Sequence, residues 1–176
     1  KKHKEAIEIL KLGEPLAIDN PLLKAQILSS LGEAYNDLKD YANSDSSFER
    51  ALLFDADNAY TLNNYAYYLS LRNDNLEKAK EMSYKSIQLV PNSSSFEDTY
   101  AWILYKMENY TEAKEWAEKS IENGGEDNSV IIEHYGDILF KLGEVDKAVS
   151  YWQKAKSLGS ESDVISKKIA DKKIYE

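Results

Sequence analysis

Leu31-Gly32-Glu33-Ala34-Tyr35 places a glycine between large residues, and the frame it sets returns three times along the chain. It reappears as Tyr65-Ala66-x2-Leu69, Tyr100-Ala101-x2-Leu104 and Tyr135-Gly136-x2-Leu139. The small residues Gly32, Ala66, Ala101 and Gly136 lie 34, 35 and 35 positions apart. A period of this length describes a stack of like units rather than one globular core.

A second small residue follows in each unit, and a third a few residues later. Ser44-x3-Phe48, Ala79-x3-Ser83, Ala113-x3-Ala117 and Ala148-x3-Trp152 repeat in register, followed by Ala51, Ser86, Ser120 and Ala155. Two antiparallel helices approach closely only where one presents a small side chain. Large residues such as Tyr35, Phe48, Tyr135 and Trp152 then fill the space between neighbouring units. One hairpin cannot bury its apolar stripe alone, so about three units are needed for stability.

These residues resemble the tetratricopeptide repeat (TPR), whose first helix carries L-G-x2-Y and whose second carries A-x3-F. Pro91 stands where that pattern closes with proline; Ala56, Gly125 and Ser160 replace it in the other units. The resemblance implies an all-α fold, a right-handed α-solenoid of antiparallel helix hairpins. Repeats are expected over residues 25–58, 59–93, 94–128 and 129–160, in a single domain spanning 1–176. Residues 2–12 resemble the second helix of a further unit, with Ala6 in the small position, and Gly13 is expected to close it. The step from Ala6 to Gly32 is 26 residues, a few more than the roughly 22 of an uninterrupted array with a 34-residue period.

Local signals place the helices. Asn20-Pro21 is a helix start, with Asn as the cap and Pro at the first helical position. Helices are expected over 21–38, 41–55, 58–72, 75–90, 95–107, 110–123, 129–142 and 145–158. Asp57 or Asn58 caps the third of these, and Asn92 with the Ser93-Ser94-Ser95 run caps the fifth. A last amphipathic helix over 161–175, within a capping segment 161–176, is expected to turn Lys167, Lys168, Lys172 and Lys173 to solvent. Solenoid ends need such a polar-backed cap.

Charge and composition narrow the function classes. The formal net charge is −9, and both ends run against the acidic middle. An acidic body repels phosphate, so nucleic acid and anionic membrane surfaces are not expected as partners. With no cysteine, disulfides and thiolate metal sites are excluded. No apolar run approaches the roughly 18 residues of a membrane-spanning helix. No signal peptide is visible, but the chain opens inside a repeat, so targeting stays open. Similarity to bacterial-type TPR proteins favours the cell envelope or periplasm, with the cytoplasm remaining open.

The sequence contains no catalytic constellation and implies no cofactor or metal. His3 is expected in a frayed terminus and His134 in a structural place. Asp55-Ala56-Asp57-Asn58 begins like a calcium loop but lacks the glycine and later glutamate, and reads as a turn and cap. Asn92-Ser93-Ser94 and Asn109-Tyr110-Thr111 match the glycosylation triplet, which matters only in a eukaryotic secretory source.

In the family the first helices line the concave side. The resemblance therefore puts Tyr60, Asn63, Tyr67, Asp98, Trp102, Tyr105, Glu133, Asp137 and Phe140 on an exposed inner face as partner-binding residues. Aromatics there suit a peptide or a partner helix. The lysines of a carboxylate-binding, chaperone-type groove are absent, so that ligand is not expected. Two functions follow. One is a non-enzymatic scaffold that binds a protein or peptide in the groove. The alternative is a structural spacer or self-association module, joined through its terminal repeats.

Overall fold

The computed structural model describes residues 2–175. Ten α-helices run through them: α1 (Lys2–Gly13), α2 (Pro21–Asp37), α3 (Tyr41–Phe54), α4 (Ala59–Leu71), α5 (Leu76–Leu89), α6 (Ser94–Lys106), α7 (Tyr110–Ser120), α8 (Ser129–Lys141), α9 (Val145–Ser157) and α10 (Ile165–Asp171). No strand occurs among the described residues. The helices pair as hairpins α2–α3, α4–α5, α6–α7 and α8–α9. The first helices of successive hairpins also pack on one another, α2 on α4, α4 on α6 and α6 on α8, which builds an all-α solenoid. At its ends α1 packs on α2 and α10 on α9.

The starts follow side-chain chemistry. Asn20, Asp40, Asn58 and Asn128 each accept a backbone N–H from the first turn of the helix they precede, satisfying donors that have no partner within the helix. Asn58 also donates to Asp55 at 3.0 Å, so the calcium-like tetrapeptide is a turn and cap. The stops use left-handed backbone. Lys39, Asn73, Asn92, Glu108 and Gly143 have φ between 52° and 82°.

The small residues sit at helix crossings. A Cβ built on Gly32 would fall 2.7 Å from the Phe48 ring, and one on Gly136 2.6 Å from the Trp152 ring. Ser44 Oγ donates to the Gly32 carbonyl at 2.8 Å, locking the α2–α3 crossing. Ala66 and Ala101 are fully buried at the corresponding places in α4 and α6. Phe48 then stacks on Tyr65 of the next hairpin, ring centroids 5.1 Å apart.

Several local expectations change. α1 ends at Gly13 as expected, but the glycine stays right-handed and leads into a 3-10 turn, Glu14–Leu16, within the longer connection. The helix expected to reach residue 123 stops at Ser120 and widens into a π turn, Ile121–Gly125, because Gly124 takes φ +105°. The Ser93 side chain makes no cap hydrogen bond. His3 is not frayed: it lies in α1 with Nδ1 3.0 Å from Asp37. The last helix covers 165–171 rather than 161–175, ending where Lys172 turns left-handed at φ 49°. Lys168 is buried within it instead of facing solvent.

The crossing glycines give a direct test. Alanine at Gly136 gains about 1 kcal/mol of helix propensity but overpacks against a rigid, fully buried indole, a change that costs about 1–3 kcal/mol. Gly136→Ala is therefore expected to lower stability by about 1 kcal/mol net, read as a shift in the urea midpoint by circular dichroism.

Candidate functional site: a concave cavity between α6, α8 and the C-terminal segment

Three rings stack between α6 and α8. Trp102 lies between Tyr105 (4.6 Å, 10°) and His134 (4.0 Å, 15°). Helical spacing puts Trp102 and Tyr105 one turn apart on α6, and His134 arrives from α8. His134 Nδ1 sits 3.0 and 3.1 Å from the two Asp98 oxygens, tying α8 back to α6. Lys106 places its ammonium 5.0 Å above the Trp102 ring. Burial by itself lowers the His134 pKa, but the Asp98, Asp137 and Glu133 carboxylates outweigh it, and the net direction is upward.

Glu133, next to His134, and Asp137, one turn further along α8, form an acidic pair. Lys168 of α10 is only 4% exposed and inserts between them. Its ammonium donates to Glu133 Oε1 and to both Asp137 oxygens, each at 2.8 Å, using all three of its donors. Ser160 donates to Glu133 at 2.7 Å and Trp152 Nε1 to Asp137 at 2.9 Å. Burial raises the Asp137 pKa, and this outweighs the opposing pull of Lys168. For Glu133 burial acts upward too, but the Lys168 and Ser160 hydrogen bonds prevail and lower it.

Between these groups and the C-terminal segment lies a cavity of about 540 Å³, lined among others by Trp102, Tyr105, Val130, His134, Ile174 and Tyr175. Trp102 is 9% exposed, and its Nε1 is buried with no hydrogen-bond partner. A buried indole N–H without an acceptor is uncommon in native proteins. Of the polar groups around it, His134, Glu133, Asp137, Ser160 and Lys168 already have partners. No cluster of three or more metal-ligating His, Asp or Glu side chains occurs among the described residues.

The nine residues expected on the inner face separate here. Trp102, Tyr105, Glu133 and Asp137 line the one cavity, and Asp98 lies behind it on His134. Tyr67 is half-buried, its phenol pKa raised by burial and then by nearby Asp98. Tyr60 is 67% exposed, edge-on to Phe96, beside a smaller polar recess of about 240 Å³ near Glu33 and Asn64. Asn63 is buried with Oδ1 unpartnered, and Phe140 packs on Trp152. Asn63, Asp98, Trp102, Tyr105, Glu133 and Asp137 were expected to be exposed, but they are buried. The stacked rings cover one another, and α10 covers the acidic pair. Lys168 and Ser160 were not foreseen as site residues. The signal available was an unmatched acidic pair on one helix and a lysine-rich last helix, about 31–35 residues apart.

Comparison with known proteins agrees with this architecture. The family described as Tetratricopeptide repeat matches residues 22–171. No curated protein matches the chain in sequence. Among solved structures, PilW, a widely conserved type IV pilus biogenesis factor, is similar at TM-score 0.77 and 16% identity, over 98% of this chain and 86% of that one. Pseudomonas aeruginosa PilF gives 0.68 and 22%, over 98% and 89%. YrrB, a TPR protein with an unusual peptide-binding site, gives 0.63 and 15%, over 82% and 73%. At these identities the likeness is one of fold.

The His134–Asp98 pair makes stability depend on pH. A histidine whose folded pKa lies above its ordinary 6.5 contributes stability that is complete below about 6.5 and lost as pH rises through the folded value. The thermal midpoint is expected to fall as pH rises from about 6.5, and His134→Gln is expected to flatten that slope. Midpoints of the two proteins measured across this range decide it; a parallel slope in the variant removes His134 as the source.

Proposed function

Because the chain belongs to the tetratricopeptide-repeat family, we propose that it is a non-enzymatic protein-interaction scaffold that takes a peptide or partner helix into the concave cavity between α6, α8 and the C-terminal segment. Proteins of this family act in general as scaffolds. The observation that carries the finer reading is the Trp102 indole, nine-tenths buried with Nε1 unpartnered beside a cavity of about 540 Å³. An acceptor from a bound segment would complete it, while Tyr105 and Val130 offer apolar area to a neighbouring side chain. The YrrB fold, with its peptide-binding site, supports the same reading by analogy.

Peptides selected by display on the immobilised chain supply the ligands for a test. Trp102→Phe keeps a ring for Tyr105 and His134 to stack on but removes the indole N–H. A hydrogen bond is worth about 0.5–1.5 kcal/mol net, so affinity by calorimetry is expected to weaken about 2- to 10-fold with helical content unchanged. Equal affinity for the variant sinks the cavity as the site.

A second reading, self-association through the first unit, is favoured by one observation. Ile9, Leu12, Leu16 and Ile18 of α1 and its following turn are 68–84% exposed, and Leu22 is 58% exposed. Contiguous exposed apolar surface marks interaction sites. Under this reading sedimentation shows a dimer at micromolar concentration that Ile9→Lys with Leu12→Lys returns to monomer. A native chain that stays monomeric at high concentration overturns it.

A further inference from the structure

The occupant nearest the cavity is a segment of the chain itself, residues 165–175. Helix α10 is seven residues long, and Ile165 and Lys168 are its only buried residues. Its attachment is specific in charge: one ammonium against two carboxylates on α8. Beyond Lys172 the chain leaves the helix, and Ile174 and Tyr175 line the cavity. Ile174 packs there on the same apolar cluster that contains Trp102 and Tyr105.

We propose that residues 165–175 are an internal occupant of the concave site, and that the external partner is a basic amphipathic helix that displaces them by setting its own lysine between Glu133 and Asp137. The proposal rests on the concave-site reading above and names the partner's chemistry. The physical reasons are three. An undocked seven-residue helix does not persist in water, since isolated helices shorter than about 12 residues are marginal. Undocking without replacement leaves Glu133 and Asp137 as like charges one turn apart on α8 with no cation between them, which is unfavourable; a partner that brings a cation restores both pairs. The acidic excess of the chain draws such a partner in. Selectivity follows: an acidic or neutral helix cannot make the exchange.

The chain itself supplies the probe. A labelled synthetic peptide of residues 161–175 competes in the native protein against a tethered copy at an effective concentration on the order of millimolar. Lys168→Glu releases that copy, because the new carboxylate cannot sit between Glu133 and Asp137. The peptide is expected to bind the K168E chain at least about tenfold more tightly than the native chain. A peptide with glutamate in place of that lysine is expected to bind neither. Should K168E fail to fold, the native chain decides. Saturating peptide is then expected to speed amide exchange across 165–171 at least about tenfold while α8 and α9 keep their protection.

Equal peptide affinity for the two chains, or unchanged protection of α10 at saturation, overturns the proposal. If display-selected peptides still depend on Trp102 in that case, the concave site stands and only internal occupancy falls. If no peptide binds near Trp102 in either chain, both fall together.

Discussion

Close approach of paired helices is the constraint from which the rest of this structure follows. Gly32 lies against the Phe48 ring and Gly136 against the Trp152 ring at distances that leave no room for a methyl group. Without those approaches α3 and α9 could not insert a fully buried aromatic at the crossing, Phe48 in one and Trp152 in the other. The aromatic in turn sets the spacing to the next hairpin, as in the Phe48–Tyr65 stack. A short-range steric condition, repeated every 34 or 35 residues, thus becomes the long-range geometry of a solenoid.

That geometry creates a concave row of first helices, and the chemistry concentrates at one end of it. Units three and four bring Trp102, Tyr105 and His134 into one stack, flanked by Asp98, Glu133 and Asp137. An apolar platform beside buried carboxylates is costly to leave open. Here Lys168 satisfies the acidic pair, and His134 satisfies Asp98. The indole N–H of Trp102 is the donor of that stack left without a partner. The opposite end has a different character. Its inner recess is polar, with Asn64 donating to Glu33 at 2.7 Å, while its outer surface carries the exposed apolar residues of α1. The two ends of one repeat array therefore offer different surfaces.

Family membership fixes the architecture and the broad class of activity. The solved relatives share the fold at 15–22% identity, and a common fold does not carry a common ligand. What distinguishes this chain is therefore sought in its own side chains, above all in the contact between α8 and α10.

Much of the fold is legible in the sequence because its causes are local. Caps such as Asn20 and Asn58, breaks such as Pro91, and small residues at a fixed period each act within a few residues or at one repeated crossing. For the nine residues expected on the inner face, the sequence did not show the environments. The resemblance to the family implies an inner position for Asp98, Trp102 and Glu133, yet it does not say that rings from two helices will stack and bury one another. Nor does it say that Lys168 will turn inward. Amphipathic spacing alone sends a lysine to water, and only the prior presence of Glu133 and Asp137 on a separate helix makes burial of its charge favourable. Repetition and helix chemistry were thus determined by the sequence by itself. The charge-matched contact between α8 and α10 was decided by tertiary structure, because pairing of charges between distant helices depends on where packing brings them.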